Sequence, residues 1–504
     1  MNSYFIPLKM VKKNDVLNRK NSLSASSFKE INVLNKNFEI LGELLEGKAI
    51  KGFEPGSDQY IGFSENNFIR IQDMERLEFT FKENDSTIKI IPPKESYKKR
   101  IIINGDICYQ TASDVGNVCI YVGNKSFYNS HIRKLNIKKD KYYVFAFLKS
   151  ELGKGQINIS GSIKGVDNFS EELLLNTKIF FPTDKNNPYP EQVKTLVSVI
   201  VQNIINKEQE IRKKIFLIDE IFKTELINSF DINKFKYSFP RLKDLKKIKR
   251  LDNKLYSKDF KKFENYLENY SYGYTLFKTL KQKNIIKSRK GPNLAISIIG
   301  KSIYTDIKNK NLIPLILSKN VSDAGIIKKI TYLGNNSNLP LLKKFDLLLF
   351  ARGDIGRVLF IDDFLINSTS NFDVFFIDYK SKLTDKLFLL NYLRFLKNQN
   401  YWAFFSVGGS GALSLTDDLL QRLKIPNFPE SKKIDISKLY YNEVKKNKLI
   451  NLDDYIEKEF KRNETLGVFQ LSIEIFKLKK LLEELIFKIA NNQKIEINQI
   501  IELD

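Results

Sequence analysis

Two kinds of apolar spacing alternate along this chain, and each occurs in both halves. Short runs of β-branched and aromatic residues bounded by Gly, Asp and Asn predict strands at Phe68-Ile69-Arg70-Ile71, Ile101-Ile102-Ile103, Val118-Cys119-Ile120-Tyr121-Val122, Leu347-Leu348-Leu349-Phe350 and Val374-Phe375-Phe376-Ile377. Tyr142 to Ser150 and Lys386 to Lys397 read as helices. Later in each half the spacing lengthens to heptads. After Pro188-Tyr189-Pro190, residues Val201, Ile204, Ile211, Ile215, Ile218 and Phe222 fall at a and d positions, with Glu208 the one interruption. Leu471, Ile475, Leu478, Leu482, Leu485 and Ile489 alternate steps of four and three without a break. A narrow stripe needs one partner helix, so pairing the two segments in an antiparallel or parallel coil buries both. Each packing on its own domain as an ordinary core helix is the alternative.

The halves also share a written pattern. Gly105-Asp106-Ile107 followed by Ser113-Asp114-Val115-Gly116-Asn117-Val118 returns 240 residues later as Phe345-Asp346-Leu347 followed by Gly353-Asp354-Ile355-Gly356-Arg357-Val358. Phe147-Leu148-Lys149 matches Phe395-Leu396-Lys397, and Ser170-Glu171-Glu172-Leu173-Leu174 matches Thr416-Asp417-Asp418-Leu419-Leu420. In that last pair a hydroxyl residue before two acids marks a helix start: the hydroxyl accepts from free N–H groups and the acids suit the positive end of the helix. Lys178-Ile179 and Lys424-Ile425 follow, each with a Pro nearby (Pro182, Pro426). Solenoid repeats recur at about 20–50 residues; a unit this long predicts two similar domains.

With 504 residues, 42% of them hydrophobic, each domain can bury its own core. The 83 Lys and Arg against 59 Asp and Glu leave a formal charge of +24 spread over both halves. That excess points to a polyanionic partner, since every phosphate neutralised releases counterions; a Lys-rich composition set by an AT-rich genome is the competing explanation. No apolar run reaches the roughly 18–20 residues of a membrane span, and Met1-Asn2-Ser3-Tyr4 opens no secretory signal, so the expected location is cytoplasmic. Cys108, Cys119 and the single His131 cannot assemble a zinc site alone. No metal and no cofactor is expected.

These motifs carry a resemblance. Asn104-Gly105-Asp106-Ile107, Asn129-Ser130, Gly161-Ser162-Ile163-Lys164-Gly165 and Tyr189-Pro190-Glu191-Gln192 in the first half, with Asp354-Ile355-Gly356-Arg357-Val358, Asn367-Ser368, Gly408-Gly409-Ser410-Gly411 and Leu423-Lys424-Ile425-Pro426 in the second, resemble the specificity (S) subunit of type I restriction-modification systems over nearly the whole chain. The second half departs from the pattern, having Pro429-Glu430-Ser431 and then about 40 extra residues before its heptads, which fits an unusual subtype. The resemblance implies an α/β (α+β) chain: two similar mixed target recognition domains (1–187 and 231–447) joined by two long helices (188–230 and 448–504) forming an antiparallel coiled-coil spacer. Each domain would read one part of a split site in double-stranded DNA. The helices, through Ile204, Ile211, Ile218, Leu471, Ile475, Leu478, Leu482 and Leu485, would form the spacer and dock two methyltransferase (M) subunits beside a restriction/translocase (R) subunit. Glu191 to Leu226 as one helix is about 54 Å long, more than the roughly 34 Å of a turn of B-DNA. The chain itself would be non-catalytic.

The DNA-contacting candidates are Arg70, Tyr97-Lys98-Lys99-Arg100, Gln110, Ser113, Asn117, Lys287-Ser288-Arg289-Lys290, Arg352 and Arg357. Arg can bond guanine O6 and N7 together, Gln or Asn can do the same for adenine, and Lys clusters hold phosphates. Three patterns suggest catalysis instead. Ala295-Ile296-Ser297-Ile298-Ile299-Gly300-Lys301-Ser302 fits a permissive phosphate loop with Val374 to Asp378 as its magnesium strand, but its interior favours a strand over a flexible cradle. Asp363 with Asp378-Tyr379-Lys380 is spaced like the paired acids and lysine of a magnesium nuclease, without a counterpart in the first half. Phe405 to Gly411 is a glycine turn like a methyl-donor loop, yet Asn187-Pro188-Tyr189 lacks the second proline of an adenine-holding tetrapeptide. A magnesium-dependent nuclease or nucleotide hydrolase in the second half is therefore the alternative function, and a scaffold for RNA or acidic proteins a third.

Overall fold

The computed structural model describes residues 4–8, 10–18, 28–81, 88–91, 94–161, 174–185, 187–228, 235–243, 253–335, 338–407, 413–444 and 452–497. The chain divides into two units: Met1–Glu208 with Lys446–Asn463 and Lys477–Asp504, and Gln209–Lys445 with Glu464–Phe476. Both are mixed α/β.

The first unit holds a sheet of β1 (Ile50–Lys51), β2 (Thr80–Phe81), β3 (Ile107–Gln110), β4 (Val118–Tyr121) and β5 (Ile132–Leu135), in the order β1-β5-β3-β4-β2. The second unit holds β6 (Ile286–Lys290), β7 (Leu347–Phe350), β8 (Val358–Phe360) and β9 (Val374–Tyr379), in the order β6-β9-β7-β8. With β2 left aside the two sheets have one plan, each central strand antiparallel to both neighbours. Around them the repeat continues. Phe38–Ile40 pairs with Lys178–Phe180 and Tyr274–Leu276 with Lys424–Pro426, both antiparallel. The helices Lys141–Lys149 and Leu383–Asn398 are each buried over most of their length, as all-round apolar helices must be. At Thr416 the expected cap is present, its side chain accepting from Leu419 N–H; Ser170 lies outside the described residues.

The insertions between repeated strands are what differ. The first unit adds a five-stranded sheet (Tyr60–Ile61, Asn67–Ile69, Ile88–Ile90, Ile101–Ile103, Lys125–Tyr128) over a core of Phe53, Phe68, Ile90 and Phe127. The second adds a three-stranded sheet (Ile303–Thr305, Ile313–Leu315, Thr331–Gly334) over Leu315, Leu333 and Leu339.

The heptad segments correct one expectation. The first is a helix from Pro190 to Lys223, continued by a wider turn over Thr224–Asn228. Its upper part, however, buries Val193, Leu196, Val197, Val199, Ile200, Val201 and Ile204, more than half its circumference at 100° per residue. A face that wide takes two neighbours. The second segment supplies them, being two helices, Asp453–Thr465 and Val468–Ala490. They part at Gly467, whose N–H donates to Asn442 O and where a Cβ would strike the Asn442 backbone.

Within the first unit the polar contacts set directions. Asn203 donates to Glu459 and Lys207 to Asn463, so the Asp453–Asn463 stretch runs parallel to the long helix. Asn187 accepts from Ile495 N–H while Glu208 meets Lys479, so Lys477–Ala490 runs antiparallel to it. Glu208, the break in the heptad, is buried and accepts from Phe79 N–H (3.0 Å), Thr80 N–H (2.9 Å), the Thr80 hydroxyl (2.8 Å) and Lys479 Nζ (2.8 Å). It ties the edge strand β2 to the helices. Within the second unit, Phe222 packs among Phe388, Tyr392, Phe395 and Phe428, and Asp219 pairs with Arg394. Every a and d residue named in the last helix, Leu471 through Ile489, is buried.

Candidate nucleic-acid interface

The repeated sequence builds one turn twice. Gly105 (φ 87°) and Phe345 (φ 71°) both take the left-handed conformation, which lets the next residue fold its carboxylate back over the chain. Asp106 accepts from Ile103 N–H and Asp346 from Lys343 N–H, each at 2.8 Å. At the other end of the strand, Gly116 (φ 90°) donates to Gln110 O and Gly356 (φ 82°) to Phe350 O. Asn117 N–H then closes on Asp114 O, and Arg357 N–H on Asp354 O. These bonds close the tips of β3–β4 and β7–β8 and leave Ser113, Arg352 and Gly353 exposed.

Burial separates the candidate residues. Asn117 and Gln110 are buried in the tip: Asn117 donates to Met74 O and Gln110 Oε1 and accepts from Lys149 Nζ, and Gln110 donates to Ala112 O. Arg357 donates to Ser318 O, Asp354 and Asp323. Their expected place as outward base readers is thus corrected: Gln110 and Asn117 are spent on buried groups in and around the tip, and Arg357 on Ser318 O and two carboxylates. Tyr97 stacks on Phe53 at 4.7 Å and has the Arg100 guanidinium over its ring at 4.8 Å, while Arg100 donates to Gly52 O, so that pair braces a loop. Arg70 is half-buried, Lys98 pairs with Glu95, and Lys99 is exposed.

On the second unit the basic residues do gather. Lys287, Arg289 and Lys290 are exposed along β6, with Arg289 over the Phe376 ring and Lys290 over Phe375. Register places Lys290 opposite Phe375, and Gly291 donates to Val374 O. Arg352 lies two strands away, 3.8 Å from Asp373, with Ala351 N–H bonded to Asp373 O. Across Phe375, Lys290 is level with Leu349, about 10 Å away at about 4.8 Å per strand, and Arg352 follows three residues further on at the same end of the sheet.

The catalytic patterns are placed otherwise. Ile296–Ile299, expected as a strand, forms one helical turn ended by Gly300 at φ 75°. Asp363 pairs with Lys344, and Asp378 sits on β9 opposite Lys287. Asn187 clamps the segment after the last helix through Gln493 O and Ile495 N–H. The glycine turns near Gly161–Gly165 and Gly408–Gly411 fall largely outside the described residues. Among the described residues no three His, Cys, Asp or Glu gather as a metal site, and no helix is long and apolar enough to cross a membrane.

The sequence reading missed an exposed run beyond β6, where Ile296, Ile298, Ile303, Tyr304 and Ile307 face outward among Lys301, Lys308 and Lys310. Its signal was legible as apolar residues interleaved with lysines, but Ile296 to Ile299 read only as a strand within the phosphate-loop pattern.

No family model matches the chain, and no curated protein does. Among solved structures it is similar to the type I restriction-modification S subunit from M. genitalium at 12% identity, covering 92% of this chain and 99% of that one, with a TM-score of 0.42. It is also similar to the HsdS subunit from Thermoanaerobacter tengcongensis, at 12% identity over 90% and 96% of the two chains, TM-score 0.27. Superpositions this loose transfer neither residues nor activity.

Proposed function

We propose that this chain is the DNA-specificity subunit of a type I or type I-like restriction-modification complex, each unit reading one part of a bipartite site. The observation that carries this is the twofold recurrence of sheet order, antiparallel strand pair, buried helix and clamped Asp-x-Gly tip. One fold written twice in one chain serves one task performed twice. A net charge of +24 supplies the sequence-independent affinity for duplex DNA that such readers need. Linking two readers raises the effective concentration of the second once the first has bound, so each alone can be weak.

The chain acts without chemistry of its own in this reading. Methyltransferase subunits, two of them, and a translocating nuclease subunit provide catalysis, and the paired helices are their docking surface. Arg352, Lys287, Arg289, Lys290 and the exposed tip residue Ser113 are the contacts retained from the sequence; Lys99 joins them as a phosphate contact. The test is a map of methylated adenines in the source genome with and without this chain. Loss of one split methylation motif is the expected result; an unchanged methylome overturns the reading. Turnover of ATP or DNA by the purified chain with magnesium would favour the nuclease or hydrolase alternative.

A further inference from the structure

Resting on that reading, we infer that the helical turn Ile296–Ile299 and the strand after it form an apolar wedge that the second unit presses between base pairs of duplex DNA. Ile296 is 72% exposed, Ile298 61% and Ile303 67%, with Tyr304 and Ile307 also exposed. Five large apolar side chains facing water within twelve residues is not surface scatter.

The ridge is held open. Leu294 and Ile299 pack into the core of Leu315, Leu333 and Leu339, which fixes the turn from beneath. Asn335 donates to Ile299 O (2.8 Å) and to the Ser302 hydroxyl (2.8 Å), pinning the end of the turn to the strand Thr331–Gly334. Ile303 and Tyr304 are held in register opposite Gly334 and Leu333. With Ile299 spent as the anchor, Ile296 and Ile298 cannot fold inward without undoing it.

Charge names the occupant. From Lys287 to Leu312 the chain carries six Lys or Arg and one acid, Asp306, which is paired with Lys329 at 2.5 Å. Apolar side chains ringed by cations fit a polyanion with an apolar interior, and a stacked duplex is that ligand: isoleucines unstack one base step while lysines hold the flanking phosphates. The cost of unstacking depends on the step, so the wedge selects sequence without hydrogen-bonding a base. The first unit also exposes an apolar residue at Phe63, 93% exposed and twelve residues past the end of β1, but Asp58 and Glu65 flank it. It lacks the electrostatic half and stays outside the inference.

The full chain and a double variant, I296S/I298S, are each used to select from a pool of random 60-base-pair duplexes, and the selected duplex is then labelled at both ends for energy transfer. Wild type is expected to enrich a two-part motif and to bend that duplex. The double variant should keep the first part of the motif, lose at least tenfold of the enrichment in the second, and abolish the bend, with the salt slope on random DNA unchanged. I296L/I298L should restore both, which a misfolded unit would not do. If wild type enriches no motif, the specificity reading itself fails. If it enriches one and I296S/I298S matches it in enrichment and bend, the wedge is wrong and the specificity reading stands. Unchanged DNA behaviour with loss of a protein subunit from the assembled complex overturns the wedge in favour of a protein contact.

Discussion

Gly356 shows how one position can be fixed twice over. Its φ of 82° disfavours any side chain, and a Cβ would run into the Trp402 indole. Gly353 has φ 73° but open space around it. Gly356→Ala is therefore expected to cost about 2–4 kcal/mol, and Gly353→Ala about 1–2 kcal/mol from backbone strain alone, read as urea midpoints. Glu483 makes a second residue-scale case. Its carboxylate accepts from Glu151 N–H, yet burial, with the charge of Glu151 added, raises its pKa to about 7. A carboxyl raised in the folded state penalises folding above that pKa, and the penalty fades as pH falls from about 7 toward the unfolded value near 4.5. Glu483→Gln should melt higher than wild type at pH 8.5, with the difference shrinking toward pH 4.5; a gap independent of pH would contradict this. At the same scale, Arg352→Ala should change discrimination at one base pair of the second half-site, whereas Lys287→Ala should weaken cognate and random DNA alike and lower the salt slope by about 1. Equal losses for Arg352→Ala on both DNAs would remove it from the reading surface.

Elements explain why the heptads were broken where they were. Glu208 interrupts an apolar stripe, and from spacing alone it is a defect. In the fold it is the acceptor for the backbone N–H groups of Phe79 and Thr80, where β2 begins, a hydroxyl and an ammonium, so the break is the attachment point of an edge strand. Edge strands left bare recruit other chains. Glu208→Ala strands those donors and is expected to cost about 3–5 kcal/mol, with amide exchange at Phe79 and Thr80 accelerating well before global unfolding. Protection that persists at both amides would show that β2 is held otherwise. Nearby, Lys207 is buried against Glu459 and Asn463. A charged pair at a helix seam is satisfied in one register alone, which is the best-attested use of buried polar groups in coils.

At the scale of the molecule, the repeat was legible because it resides in backbone requirements. The 240-residue offset marks three left-handed positions (105/345, 113/353 and 116/356) and an Asp that caps its own turn, and the turn forms by local bonds whatever surrounds it. Individual strands, the two buried helices and the cap at Thr416 followed from residue type, spacing and the hydroxyl-acid pattern, while the order of strands in each sheet did not. So did the long helices, because a heptad stripe needs no knowledge of its partner to be recognised. What tertiary structure decided was partnership and exposure. Gln110 and Asn117 look like ideal adenine readers in one dimension, and only the fold shows their amides spent on Met74, Ala112 and Lys149. Ile296 to Ile299 reads as a strand, and only the fold shows a helical turn with Ile299 packed on the core and Ile296 and Ile298 outside. The same holds for the third helical segment: periodicity gives the width of a stripe, while the number of helices that cover it depends on chain far away in sequence. Local bonds and spacing are written residue by residue, but which face meets water is settled by packing free energy summed over segments hundreds of residues apart.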